Sequence, residues 1–471
     1  ILPLFSKIFE KLIHTRLTSF FDKNNVLSEN QFGFRRRHST VHALNTAISS
    51  ISKSMNDKTY SIGLFIDFSK AFDTIKHDIL LSKLEHYGIR GSALNLLTDY
   101  LTNRFQYVTL DGVCSDLLPI SIGVPQGSVL GPLLFILYIN DICNCAPDPM
   151  FVLFADDTNV FIRGSSILEA QQIAERTLQM ISKYLYANYL HINVKKTKYV
   201  VFCSSGRNPP PCKITLDSST LTRVRSIKFL GVVLDERLSW ILQTDSLICK
   251  LSKTSGVLRT LSHSLPKSLR APVLSALVNS HITYGITVWG GNSTNMEKVF
   301  TAQKKCIRAL YKIKSRCKIK GQYVYGHTKH IFVENSVLTA HNLYNYCMIL
   351  DAYKVISSQY PLSYYKACYN ISSLNPSRLL TTSCRLSSLA SNFSYMIPLL
   401  WNNFRNVNNI TNFSLTGFKS FKQSLKGFLL SMQSSFGPSV WHRFNNNLVD
   451  YCKYLSLQCL ELTTNQPRVN H

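Results

Sequence analysis

Two neighbouring carboxylates, Asp156 and Asp157, stand between apolar runs in Met150-Phe151-Val152-Leu153-Phe154-Ala155-Asp156-Asp157-Thr158-Asn159-Val160-Phe161-Ile162. Each flank has the length and composition of a short buried strand, which sets the acidic pair at the tight turn of a hairpin. Like charges side by side on a mostly buried hairpin repel and resist desolvation. A cation seated on them relieves both costs, and a divalent metal is the strongest candidate. The plainer alternative is a polar turn whose carboxylates are simply solvated.

A third carboxylate occupies a matching setting. Ser61-Ile62-Gly63-Leu64-Phe65-Ile66-Asp67-Phe68 is a continuous apolar run ending in an acid, the pattern of a strand buried on both faces. Mg²⁺ prefers carboxylate oxygens and keeps sites for water and substrate phosphates. Two such ions roughly 3.5–4 Å apart clamp the attacking and leaving oxygens of a phosphoryl displacement. One acid on a central strand and two on an adjacent hairpin suffice to hold them. The alternative for Asp67 is a strand-end residue capping the helix that follows.

Composition narrows the partners. The chain has 471 residues, enough for about three domains at a prior of about 150 residues each. Hydrophobic residues make up 45% and charged residues 17%, which provides ample core. The formal net charge of +26 calls for a polyanion, either nucleic acid or an acidic membrane surface. The longest apolar stretch, Val129 to Ile139, contains Gly131 and Pro132 and falls short of the ~20 residues of a membrane span. Nucleic acid is therefore the expected partner, and no membrane is expected. The 13 cysteines show no C-x-x-C pair and no Cys/His cluster of finger or knuckle spacing, so they read as reduced, mostly core thiols of an intracellular protein. The chain opens on Ile1-Leu2-Pro3-Leu4-Phe5 without a targeting signature and reads as a fragment of a longer polypeptide.

Helical spacing runs over residues 4–20. Ser39 or Thr40 is a plausible N-cap for a helix through about Ile51. Asp73-Thr74 signals a helix near 75–86, and another is expected near 92–101. Strands are expected near 105–110 and 117–122, then an apolar helix of about fifteen residues ending near Ile142. Ile167, Ala170, Ala174, Leu178, Ile181 and Leu185 line one face of a long helix, with strands near 198–203 and 227–235 after it. Residues 301–330 carry nine Lys and Arg and no acid, and Lys304, Arg308 and Lys312 at four-residue spacing share a helix face suited to tracking phosphates. The alternative is a solvated face. Apolar helical stretches near 338–356 and 413–430 follow.

The ordered set of motifs resembles the reverse transcriptases of non-long-terminal-repeat retrotransposons, the LINE-type jockey and chicken-repeat-1-like groups, over roughly residues 1–310. The motifs are Gln31-Phe32-Gly33-Phe34-Arg35 with Ser39-Thr40, Phe65-Ile66-Asp67-Phe68-Ser69-Lys70-Ala71-Phe72-Asp73, Gly123-Val124-Pro125-Gln126-Gly127, Phe154-Ala155-Asp156-Asp157, Lys195-Lys196-Thr197-Lys198 and Phe229-Leu230-Gly231. The resemblance implies an α+β right-hand polymerase. Its expected parts are fingers over 1–60, palm with remaining fingers elements and primer-grip hairpin over 61–240, a basic helical thumb over 241–320, and a mostly helical C-terminal extension over 321–471.

The resemblance also assigns roles. Asp67, Asp156 and Asp157 would hold two Mg²⁺ ions, with Mn²⁺ as a substitute and Asp157 the least direct ligand. Phe72 would be a steric gate against a 2′-hydroxyl, with core packing as its alternative. Phe68, Gln126, Gly127, Arg35 and Lys198 would contact the nucleotide. Arg36 and Arg37 remain alternatives to Arg35, and Lys196 an alternative to Lys198. Phe229, Leu230 and Gly231 would grip the primer, and Lys304, Lys305, Arg308 and Lys312 would meet the nucleic-acid backbone. The implied partners are an RNA template, a DNA primer or target and dNTPs, with an element RNA-binding protein as a further partner. Action is expected in the nucleus after a cytoplasmic stage, by target-primed reverse transcription. The alternative is a catalytically silent or domesticated nucleic-acid-binding remnant. The segments Asn375-Pro376-Ser377-Arg378, Pro398-Leu399-Leu400-Trp401-Asn402 and Phe418-Lys419-Ser420-Phe421-Lys422 resemble the family's tail. No apurinic-type endonuclease and no Cys/His knuckle is recognisable in the sequence.

Overall fold

The computed structural model describes residues 3–102, 104–125, 127–204, 210–314, 316–319, 322–325, 327–357, 379–380, 393–408 and 418–436. Gln126 and Asn375-Pro376-Ser377-Arg378 lie outside the described residues. The chain divides into two compact units, Ile1–Ile227 and Lys228–His471.

The first unit is built on a five-stranded sheet whose middle strand is β1, Tyr60–Ile66. Six of its seven residues are buried, as a continuous apolar run requires. Gly63 lies among aromatic rings, and a Cβ there would come within 2.9 Å of the Phe202 ring. Helices α1 (Leu4–Lys23), α2 (Thr40–Asn56), α3 (His77–His86), α4 (Ser92–Leu101), α5 (Gly131–Tyr138) and α6 (Ile167–Ala187) complete the unit, in the α+β class expected. Four two-residue strands, β2 (Phe105–Gln106), β3 (Thr109–Leu110), β4 (Val113–Cys114) and β5 (Leu118–Pro119), stand where two longer ones were expected. In the sheet, β6 (Met150–Phe154) and β7 (Asp157–Gly164) form a hairpin, and β7 runs antiparallel to β1 from Tyr60↔Gly164 to Ile66↔Thr158. On the other side of β1 lies β8 (Lys198–Phe202), also antiparallel. After the small hairpin β9 (Thr215–Leu216) and β10 (Ser219–Thr220), β11 (Thr222–Arg223) adds to β8 in parallel.

Local chemistry explains where these elements start and stop. Ser39 caps α2 by accepting a hydrogen bond from His42 N, as its sequence position suggested. The apolar face of α6 is buried at Ala170, Ala174, Leu178, Ile181 and Leu185. Helix α3 begins at His77, later than Asp73-Thr74 implied, because those residues close a turn on the Lys70 carbonyl instead. The fifteen-residue helix is an eight-residue α5 followed by a 3₁₀ turn, Ile142–Cys145. Upstream, the Val129 and Leu130 amides are taken by the Glu10 carboxylate. Downstream, Asn140 accepts from Ser28 N and donates to Val26 O, which turns the chain away. Every α5 residue except Pro132 is buried. Such Leu, Ile and Phe side chains stabilise the unit by about 1.5–3 kcal/mol each.

The second unit is mostly helical. It begins within β12 (Ser226–Phe229), which forms a hairpin with β13 (Val232–Asp235). Its principal helix pair is α7 (Ile241–Leu261) against a helix at Ser293–Tyr311, hereafter the basic helix. Between them, Lys267–Leu274 contains Pro272 and continues through a π-helical turn, Ser275–Asn279, the local unwinding that an internal proline provokes. Helices Lys329–Glu334, Ala340–Ile356, Phe393–Asn408 and Phe418–Phe436 follow, the last two carrying the second and third tail segments. Among the described residues no helix is long and apolar enough to cross a membrane. No disulfide joins the described cysteines, of which only Cys203 and Cys306 are buried. The expectation of mostly core thiols is corrected to that extent, since small side chains at half-covered positions also accommodate a thiol.

Candidate active site

The sheet brings the three acids to one end. Asp67 directly follows β1, and one step beyond the last pair, Ile66↔Thr158, the register sets it across from Asp157. Asp156 occupies the turn between β6 and β7, whose closing pair is Phe154↔Asp157. Burial of its surroundings, then repulsion from Asp156 and Asp67, pushes the Asp157 carboxyl above its ordinary value, although solvent still reaches the side chain. The three acids therefore share one electrostatic environment.

Asp67 is held by its backbone. Its N–H donates to Thr197 Oγ1 at 3.3 Å and its carbonyl accepts from Asn193 N at 2.8 Å. Its Oδ2 is buried without a hydrogen-bond partner among the described residues. Lys196 Nζ lies 3.8 Å from that oxygen, too far for a hydrogen bond. As they stand, no three His, Cys, Asp or Glu side chains among the described residues converge closely enough to close on a metal ion. An orphaned carboxylate oxygen, a neighbour pushed up by two more acids and an all-oxygen donor set fit a hard divalent cation.

The turn carrying Asp156 is clamped from behind. Gln31, wholly buried, accepts hydrogen bonds at Oε1 from Gly33 N (2.8 Å) and Ala155 N (3.3 Å). Phe32 N donates to Leu153 O at 2.8 Å, and Leu153 N to Asn30 O at 2.9 Å. Ala155 sits at φ +57°, a costly conformation for a residue with a Cβ. Gly33 must be glycine, since a Cβ would stand 2.4 Å from Ala155 N.

Around the acids, Phe72 stacks on Phe135 of α5 with ring centroids 4.5 Å apart and stays half-exposed, so packing and a gate are compatible. Phe68 is buried in the core beside Asp67. Gly127 adopts φ +81° with open space where a Cβ would project. Glu10, 4% exposed, fixes this loop from α1 by accepting from Val129 N (2.6 Å) and Leu130 N (3.2 Å). Arg35 is turned inward, donating to Ser28 O at 2.5 Å, and desolvation lowers its pKa. Arg36 and Arg37 are exposed. Lys196 is the lysine at the carboxylates, whereas Lys198 is exposed at the start of β8. Lys70, within the motif of Asp67, is exposed at φ +50° in the turn after that acid.

In the second unit, half-buried Leu230 (φ +44°) and exposed Gly231 (φ +83°) form the tip of the β12/β13 hairpin, while Phe229 is buried. Tyr284 Oη donates to Leu230 O at 2.7 Å and holds the tip. The basic helix ends at Tyr311, and Lys312 caps it in the left-handed conformation, so Lys312 does not continue the Lys304–Arg308 face. Lys305 and Lys312 are exposed, while Lys304 and Arg308 are half-buried.

Gln31 and Thr197 stand in the motifs without a role, and Glu10 and Tyr284 stand outside them, because all four act on backbone groups that side-chain patterning does not register. Glu10 carried one signal. It lies at helical spacing with Leu17, Thr18 and Phe21 on the buried face of α1, where an acid needs a partner.

Residues 1–234 match the family described as reverse transcriptase (RNA-dependent DNA polymerase). Among curated proteins, the chain is 30% identical over 323 residues to the probable RNA-directed DNA polymerase from transposon X-element of Drosophila melanogaster, covering 66% of this chain and 35% of that protein. It is 27% identical over 322 residues to the RNA-directed DNA polymerase from mobile element jockey of the same fly, with the same coverage. The chain thus spans about a third of the length of these relatives. Among solved structures, telomerase from Candida albicans with a fragment of telomeric RNA aligns at TM-score 0.39 and 13% identity over 65% of this chain and 56% of that one. With the motifs of Asp67 and Asp156–Asp157 inside the matched span, and with mobile-element polymerases as relatives, residues 1–234 of the chain belong to the reverse transcriptase (RNA-dependent DNA polymerase) family.

Proposed function

We propose that this chain is the catalytic core of an RNA-directed DNA polymerase of a non-LTR retrotransposon, extending a nicked-target 3′-end on an RNA template. The observation that carries the reading is three carboxylates at one end of the sheet, with a buried Asp67 oxygen that has no hydrogen-bond partner among the described residues. Asp67, Asp156 and Asp157 would hold two divalent cations, Mg²⁺ or Mn²⁺. Bound there, such ions supply Lewis acidity for the primer 3′-hydroxyl and charge neutralisation for the triphosphate. The 3′-oxygen attacks the α-phosphorus and pyrophosphate leaves. Lys196, beside Asp67, is the better-placed proton source for that leaving group than Lys198. Phe72, braced by Phe135, excludes a 2′-hydroxyl. Arg36, Arg37 and Lys70 are exposed cations for the triphosphate, Gln126-Gly127 borders the nucleotide, and Leu230-Gly231 offers backbone to the primer. The fingers, palm, thumb and extension boundaries at 60, 240 and 320 belong to the same proposal, as do a nuclear site of action and an element RNA-binding protein.

The second reading, a silent nucleic-acid-binding remnant, draws on the net charge of +26 alone. Primer extension on an RNA template separates the two. The wild type is expected to add dNTPs only with a divalent cation, and Asp156→Ala to abolish incorporation. Equal incorporation by the variant would remove the metal assignment, and an inert wild type that still binds the hybrid would favour the remnant.

A further inference from the structure

The second unit contains a cavity of about 310 Å³ lined by Phe300, Lys304 and Arg308 of the basic helix, Lys329 and Phe332 of the next helix, and Gln433 of Phe418–Phe436. Its volume is at the lower end of the range for ligand pockets, room for one nucleotide unit. Buried Phe300 and Phe332, with ring centroids 5.9 Å apart, form an apolar floor. Lys304 Nζ sits 4.2 Å from the Phe300 ring centroid and 3.8 Å from Glu297 Oε1, beyond hydrogen-bond range. Arg308 Nε is buried with no hydrogen-bond partner among the described residues.

A buried, unpaired donor of this kind is costly unless a ligand supplies the acceptor. Gln433 does not supply it. Its Oε1 accepts from Thr339 N (3.0 Å) and Asn342 Nδ2 (3.1 Å), and its Nε2 donates to Val337 O (3.0 Å). That glutamine instead locks the C-terminal helix in place as a wall of the cavity. No acidic side chain lines the space among the described residues. A guanidinium fork and an ammonium over an apolar floor match a phosphate on a compact organic group.

We infer that this cavity binds the phosphate of a single nucleotide, free or within a single strand, with Arg308 and Lys304 on its oxygens and Lys329 at the mouth. The inference rests on the polymerase reading only for nucleic acid as the natural source. It gives the C-terminal helix a part in ligand binding.

The test uses the full chain with EDTA present, so that the carboxylate site does not contribute. Uridine 5′-monophosphate is compared with uridine by thermal shift, and a short single-stranded RNA by anisotropy at fixed ionic strength. The monophosphate, and not the nucleoside, is expected to raise the wild-type Tm, and Arg308→Ala to abolish the shift. Arg308→Ala should weaken RNA binding by about tenfold if the strand is the source and leave it unchanged if the free nucleotide is. Lys298→Ala, an equal charge loss at an exposed position of the same helix, should change neither. Arg308→Lys, keeping charge without the fork, should retain part of the shift and covers the case of a misfolded alanine variant. Absence of any monophosphate shift, or equal weakening of RNA binding by Arg308→Ala and Lys298→Ala, overturns the site. Primer extension by the same preparation keeps the two readings apart: extension without a shift removes the pocket alone, and a shift abolished in Arg308→Ala without extension removes the polymerase alone.

Discussion

Asp157 sits where burial and two like charges oppose its ionisation, and that has a consequence for stability. Its folded-state pKa lies above the ordinary 3.8, so the folded protein holds the proton longer than the unfolded chain does. Stability is therefore lost as pH rises from the ordinary value through the raised one, and the penalty persists above. With EDTA present, Asp157→Asn is expected to melt with the wild type at the acid end and above it near neutrality. A constant Tm difference across the titration would remove the coupling. Gln31 makes a second residue-scale case. Gln31→Ala leaves the Gly33 and Ala155 amides without their acceptor in a buried place, at a cost of about 1–3 kcal/mol. Because Ala155 precedes Asp156, the turnover rate should fall while the KM for dNTP holds. A raised KM with unchanged turnover would place Gln31 elsewhere in the reaction.

At the scale of elements, the sequence was most legible where burial is two-sided or strictly periodic. The β1 run, the hairpin around Asp156 and the α6 stripe all declare themselves through side-chain patterning, and each lies where expected. It was least legible where one side chain governs another segment's backbone. Pro132 in the first turn and Ser128 Oγ, which accepts from Gly131 N, mark the start of α5 locally, but nothing there announces that the Val129 amide just upstream is held by Glu10, 119 residues away in sequence. The same contact makes Glu10 a support for the Gly127 loop. Glu10→Gln keeps the shape and loses the charge at a helix N-terminus, while Glu10→Ala orphans two buried amides. The dNTP KM is expected to rise modestly in the first and by about tenfold or more in the second, with turnover less affected. Equal effects in both variants would mean that the charge alone matters.

At the scale of the molecule, composition points to a polyanionic partner while leaving its site open. A net charge of +26 implies a polyanion, but the long one-signed run at 301–330 is not a uniform stripe in the fold. Lys305 and Lys312 face solvent, Lys304 and Arg308 face a cavity, and the helix that would have aligned Lys312 with them stops one residue earlier. Four-residue spacing cannot reveal a helix end imposed by a left-handed cap. Diffuse and local charge should accordingly separate by salt. Each phosphate neutralised contributes about 0.9 to the slope of log K against log salt on duplex DNA, so a surface this basic should show a slope of several units on an RNA–DNA hybrid. Lys305→Ala with Lys312→Ala is expected to lower that slope by about two for any hybrid sequence, because backbone contacts read charge and not bases. A slope unchanged in the double variant would return both lysines to plain solvent. Loss confined to one hybrid sequence would instead make them base-reading groups, which their flexible ammonium stems are poorly built to be.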